Sequence, residues 1–81
     1  MKFKKLVLKL DTRMQDRFED LHRVLLKFPG NTGVSIEMTL KDQSRTVSME
    51  ISEPSGVGPS HQLFEDLYGL FGRTDFVEIQ N

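Results

Sequence analysis

Apolar and polar residues alternate along four stretches of this chain and recur at helical spacing along two others. In residues 3–10, Leu6, Leu8 and Leu10 fall on one side and Lys5, Val7 and Lys9 on the other, which is the two-residue period of a strand. Asp11-Thr12 breaks the pattern, and Thr12 with Gln15 has the spacing of a helix-capping box. From there to about Phe28, the residues Met14, Phe18, Leu21, Leu25 and Phe28 make one apolar stripe and predict an amphipathic helix. Its other side carries Arg13, Asp16, Arg17, Glu19, Asp20 and Arg23, with Glu19 and Arg23 placed to pair across one turn. Pro29-Gly30 stops that helix. Residues 34–41 alternate again, with Val34, Ile36, Met38 and Leu40 on one side and Ser35, Glu37, Thr39 and Lys41 on the other. After a tight connection at Asp42-Gln43-Ser44, residues 45–52 place Val47, Met49 and Ile51 on the apolar side, so the two strands form a hairpin. Glu53 to Pro59 is rich in Pro and Gly and reads as the most mobile internal loop. Ser60 caps a second helix that runs to about Phe71, with Leu63, Leu67 and Leu70 inward. Gly72 suits the left-handed position at its end, and Phe76 to Ile79 makes a short last strand.

The order β-α-β-β-α-β defines an α+β chain. Its simplest closed form is a four-stranded antiparallel sheet with both helices on one face, the ferredoxin-like or split β-α-β arrangement, with the first and third strands central. At 81 residues, 1–81 is expected to be a single domain, with little core to spare for a deep cleft. The chain has no cysteine, so disulfides, thiolate metal sites and cysteine nucleophiles are excluded. A cytoplasmic setting is the expectation that follows. Eleven Lys and Arg against twelve Asp and Glu leave a net charge of -1, short of the basic excess that phosphate binding calls for. No apolar run approaches the roughly 20 residues of a membrane helix. The stretch Leu6 to Leu10 is too short for a signal peptide and is interrupted by Lys9.

Candidate chemistry is sparse. His22 and His61 read as surface histidines, without metal-ligand spacing around them. Asp16, Glu19 and Asp20 interleave with Arg13, Arg17 and Arg23 as a solvated helix face, and Glu65-Asp66 reads the same way. The loop Phe28 to Gly33 follows a helix instead of preceding one and lacks the Gly-Lys-Ser/Thr ending, so it is no phosphate cradle. Ser60 has no base beside it and reads as a cap. No catalytic residue, cofactor or metal is expected, and the chain reads as a binding or assembly module, not an enzyme.

Two binding classes share the expected topology. RNA-recognition domains need aromatics on the central strands, where this chain offers Val7, Thr46, Ser48 and Glu50. Small-molecule regulatory domains of ACT type carry a glycine at the first strand-to-helix turn, where this chain has Asp11-Thr12-Arg13. The ACT reading stands as the alternative, on topology alone. The exposed aromatics are expected late: Tyr68 on the side of the second helix away from Leu63, Leu67 and Leu70, and Phe76 on the open sheet face. Arg73 and Asp75 lie between them. Tyr, Phe and Arg are common interface anchors.

Three stretches together carry a family resemblance. The first is Leu21 to Leu26 leading into Phe28-Pro29-Gly30, Thr32 and the strand Val34 to Met38. The second is Val57-Gly58-Pro59-Ser60 with Leu63, Leu67 and Leu70-Phe71-Gly72. The third is Val77-Glu78-Ile79. Over most of its length the chain resembles the C-terminal domain of the alpha subunit of bacterial DNA polymerase III. The resemblance implies a C-terminal fragment of a larger polymerase subunit that lacks the polymerase carboxylates. It also implies that this end binds the tau subunit of the clamp loader. Glu65, Tyr68, Arg73, Asp75 and Phe76 are the nominated contact residues, as the exposed part of the last helix and strand. The loop Glu53 to Gly58 is richer in Pro and Gly than the family pattern.

Overall fold

A computed structural model describes residues 4–40, 45–52 and 54–80. The expected connection at Asp42-Gln43-Ser44, together with Lys41 and Glu53, lies outside the described residues. Four strands, β1 (Lys5–Asp11), β2 (Pro29–Leu40), β3 (Arg45–Ile51) and β4 (Val77–Gln80), form one sheet. Two helices, α1 (Phe18–Leu26) and α2 (His61–Phe71), complete the α+β architecture.

The sheet order is β3-β2-β1-β4. β1 pairs in parallel with β2, from Lys5 opposite Gly33 to Asp11 opposite Thr39, and antiparallel with β4. β2 pairs antiparallel with β3. The sheet is therefore mixed. The expected all-antiparallel, split arrangement, with the first and third strands central, is corrected by this pairing. Burial supplies the reason. An interior strand has neighbours on both edges and loses most of its surface. β2 can afford that, because Val34, Ser35, Ile36 and Met38 are all buried. β3 alternates with Thr46, Ser48 and Glu50, which remain exposed, and it takes an edge. A helical crossover between two adjacent parallel strands then satisfies β1 and β2 directly.

Leu6, Leu8 and Leu10 of β1 align with Val34, Ile36 and Met38 of β2 by register, and these six meet Leu21, Leu25, Leu63 and Leu67 from the helices in one core. Among the described residues no helix covers the opposite sheet face, yet Val7 is only 2% exposed and Ser35 is also buried there. Long charged side chains provide the cover. Lys5 reaches Glu50 on β3 at 2.6 Å and Lys9 pairs with Glu78 on β4, so these long side chains run across this face on either side of Val7. Lys5 crosses to β3 over Gly33, its register partner on β2, where no side chain blocks the way.

The segment entering α1 is a 3-10 helix, Thr12–Arg17, capped by Asp11, whose carboxylate accepts from the Arg13 N–H at 2.9 Å. This corrects the expected capping box at Thr12 and shortens the α-helix. Asp11 wins because it leaves the strand in an extended conformation with its short carboxylate over the free N–H groups. On α1, Arg23 pairs with Asp20 at 2.8 Å instead of the expected Glu19.

The Pro/Gly-rich loop is packed, not free. Val57 is fully buried and bridges to Pro29 and Thr32, while the Gly58 N–H donates to the Phe28 carbonyl at 2.7 Å. Pro29-Gly30 both ends α1's turn and opens β2, where a proline as first residue forfeits no ladder bond. The two segments interlock because glycines line the contact. A Cβ on Gly30 would sit 2.4 Å from the Gly58 nitrogen, and one on Gly56 would sit 2.7 Å from the Gly30 carbonyl oxygen. Those neighbours are backbone and cannot rotate away. Gly30→Ala is therefore expected to cost about 1–3 kcal/mol, the range for overpacking. Gly69→Ala, in α2 with open space around it, should instead stabilise by about 0.5–1 kcal/mol. Urea unfolding of the two variants checks the contrast; a Gly30→Ala variant as stable as the parent would refute the interlock.

Candidate protein-interaction surface

α2 is held at both ends by local chemistry. The Ser60 hydroxyl accepts from the Leu63 N–H at 3.2 Å, as the sequence predicts. Gly72 takes the left-handed conformation (φ 67°) and donates its N–H to the Tyr68 carbonyl at 2.8 Å. These caps set which side chains point inward, and the buried set is Leu63, Phe64 and Leu67.

At the C-terminal end of α2 four aromatic rings gather. Phe76 is the hub. It meets Phe71 with ring centroids 5.0 Å apart and Tyr68 at 6.2 Å, both edge-on, and Tyr68 meets Phe64 at 6.3 Å. Edge-to-face pairs at these separations are favourable beyond their area. Phe76 is 1% exposed, which corrects its expected place on the open sheet face. It precedes the first residue of β4 and sits in the turn after α2, so strand alternation does not govern it, and its ring turns under the helix. Tyr68 is corrected too. It is half-buried against the core cluster, not directed away from it. Phe64 and Phe71 were missed as members of this cluster. Phe64 and Tyr68 are one turn apart on α2 and legible in the sequence, whereas Phe71 meets Phe76 only through the turn after the helix.

The other nominated residues are exposed. Arg73 and Asp75 form a two-pronged pair, at 2.6 and 2.8 Å, that staples the turn over Phe76. The Arg73 hydrogen bond holds the Asp75 carboxyl below its ordinary value, and Asp75 in turn raises Arg73. Arg73 also feels Asp11, and Arg13, paired with Asp11 at 3.0 Å, feels Arg73. The end of β1 thus lies within electrostatic reach of the α2–β4 turn. Glu65 lies further back along α2, 3.2 Å from His61. On the far flank Lys27 ties α1 to Asp66 of α2 at 2.8 Å, and Gln62 donates to the same carboxylate.

A second surface lies at the other edge of the molecule. An open apolar cleft of about 150 Å³ runs between α1 and β3, lined by Phe18, Leu21, His22, Leu25, Ile36 and Ile51. Nothing in the sequence pattern separated it from the core, because its residues obey the same periodicities. Among the described residues no group of three or more His, Asp or Glu is placed to hold a metal ion, and no helix is long and apolar enough to cross a membrane. No known protein family, curated protein or solved structure matches the chain.

The ion pairs define an acid limb of stability. Asp66 is depressed by hydrogen bonds from Lys27 and then Gln62, Asp75 by Arg73, and Glu78 by Lys9. Where folded carboxylates titrate lower than unfolded ones, the unfolded chain binds more protons, so stability rises with pH across that window. The contribution is complete above the ordinary Asp and Glu values of about 4 and is lost as pH falls toward the depressed values. Melting temperature followed by circular dichroism should therefore be flat near neutrality and drop below about pH 4. Lys27→Met should make that drop shallower, and a curve of unchanged shape would show that Lys27 does not depress Asp66.

Proposed function

We propose that the chain is a non-catalytic protein-interaction module that engages its partner through the α2–β4 end. The observation that carries this reading is the exposed Arg73–Asp75 pair in the turn whose Phe76 packs against the half-buried rings of Tyr68 and Phe71. A rigid aromatic centre with a polar, charged margin is the common anatomy of a protein interface. The partner we propose is the tau subunit of the bacterial clamp loader, with the chain serving as the C-terminal domain of the replicative polymerase alpha subunit in the cytoplasm. Support for this step comes from the stretches that carry the resemblance. Phe28-Pro29-Gly30 and Val57-Gly58, nearly thirty residues apart, meet as the two sides of one interlocked contact, and the second of them leads directly into α2. Glu65, Tyr68, Arg73 and Asp75 are the surface residues of that proposal, and Phe76 supports the ring cluster from beneath.

The competing small-molecule reading, of ACT type, rests on topology alone and predicts a rise in melting temperature with some amino acid. Amide chemical-shift titration with the C-terminal domain of tau, with single-stranded DNA as comparison, tests the proposal. Shifts confined to residues 61–80 and to the end of β1 are expected with tau, and none with DNA. Arg73→Ala, at an exposed position, should leave the melting temperature within a few degrees and weaken tau about tenfold or more, as removal of an interface arginine typically does. Unchanged affinity in that variant would remove this surface from the proposal.

A further inference from the structure

At the opposite edge of the sheet, β3 pairs with β2 on one side only, and among the described residues nothing pairs with its outer edge. Exposed edges are ordinarily guarded by charged side chains, lysine above all, by a proline, a bulge or a very short strand. β4, the other edge, has four residues. β3 has seven in unbroken register with β2, carries neither lysine nor proline, and keeps its one cation, Arg45, at its first position. Between Thr46 and Ile51 its single charge is Glu50, and Lys5 already neutralises that charge from within the same molecule.

The side chains of β3 repeat this openness. Val47, Met49 and Ile51 share the sheet face that the helices cover, yet Met49 is 40% exposed, and the cleft between α1 and β3 opens beside Ile51. On α1, Phe18 and His22 line that cleft, and Leu26, one turn further along the same flank, is 49% exposed.

We propose that β3 is the pairing edge for a second copy of this chain, giving a two-fold symmetric dimer with one continuous eight-stranded sheet. An antiparallel strand pair is self-complementary in its main-chain donors and acceptors, so a copy of β3 fits β3 without adjustment. Pairing all seven residues places the axis at Ser48, the strand's midpoint. Val47 then lies opposite the copy's Met49, Thr46 opposite its Glu50 and Arg45 opposite its Ile51, so no like charges oppose one another. Opposed residues share a sheet face, which puts both helical layers on the same side. With strands about 4.8 Å apart, the two Met49 side chains and the cleft flanks of both α1 helices face each other across the new seam.

Equilibrium sedimentation of the full chain over micromolar to millimolar concentration tests the proposal. A species of twice 9.3 kDa is expected. Met49→Lys should weaken association about tenfold or more, with unchanged circular dichroism, because it places a cation at a desolvated seam. The chain's lack of cysteine makes a clean second test. Ser48→Cys, on the axis, should cross-link to a disulfide dimer under mild oxidation, and Thr39→Cys, exposed on β2, should not. A chain that stays monomeric at millimolar concentration overturns the proposal. So does a dimer indifferent to Met49→Lys with no Ser48→Cys cross-link, which would put the contact elsewhere. A monomer whose β3 amides shift on adding an extended apolar peptide would assign this edge to a peptide instead. Tau binding is expected to survive Met49→Lys, since the two surfaces sit on opposite edges of the sheet.

Discussion

Parallel pairing of β1 with β2 is the contact on which the other elements depend. It brings Leu6, Leu8 and Leu10 level with Val34, Ile36 and Met38 and so builds one apolar surface wide enough for two helices. It requires a crossover, which α1 and its 3-10 entry supply, and it leaves one free edge on each side. β3 returns along the β2 edge through the hairpin. β4 takes the β1 edge, and the turn that delivers it swings Phe76 under α2. The two surfaces considered for binding lie at these two edges.

Glycine does the work at the second critical joint. The start of β2 and the segment before α2 approach so closely that Gly30, Gly56 and Gly58 meet backbone where a Cβ would be. That approach buries Val57 and orients Ser60 for its cap, so the direction of α2 follows from a contact made by residues with no side chains. The Pro and Gly content that reads as looseness in a linear chain is here the condition for tight packing. Glycine lowers the steric barrier to backbone approach as well as the order of an unpacked loop, and only the presence of a neighbour decides which effect operates.

Charge plays a different part on each face. On the helix-free side, Lys5 and Lys9 extend to either side of Val7, and their ammonium groups are paired with Glu50 and Glu78. The face is thereby occupied by its own ion pairs. Around the α2–β4 turn Arg73 pairs with Asp75 two residues away instead of reaching across the sheet, and Tyr68 and Phe71 stay half-buried. That difference in how charge is spent is why the proposed partner surface lies at the turn and not on the open sheet.

Periodicity determined the order of strands and helices and the inward residues Leu6, Leu8, Leu10, Leu21, Leu25, Leu63 and Leu67, and residue type determined the Ser60 cap and the left-handed Gly72. Each of these depends on neighbours within about one turn or one strand, so local sequence contains the physics. Strand adjacency was not legible, because alternation tells which face a residue takes and not which strand lies beside it. Phe76 was misplaced for a related reason: alternation was extended one residue past the strand into a turn. The nominated Glu65, Arg73 and Asp75 were placed at the surface correctly, since charge beside a helix end is a local property. The aromatic cluster, the Gly30–Gly58 interlock and the cleft between α1 and β3 were decided by tertiary structure alone. Each joins residues far apart in the chain whose patterns are individually those of ordinary core, and only their meeting in space distinguishes them.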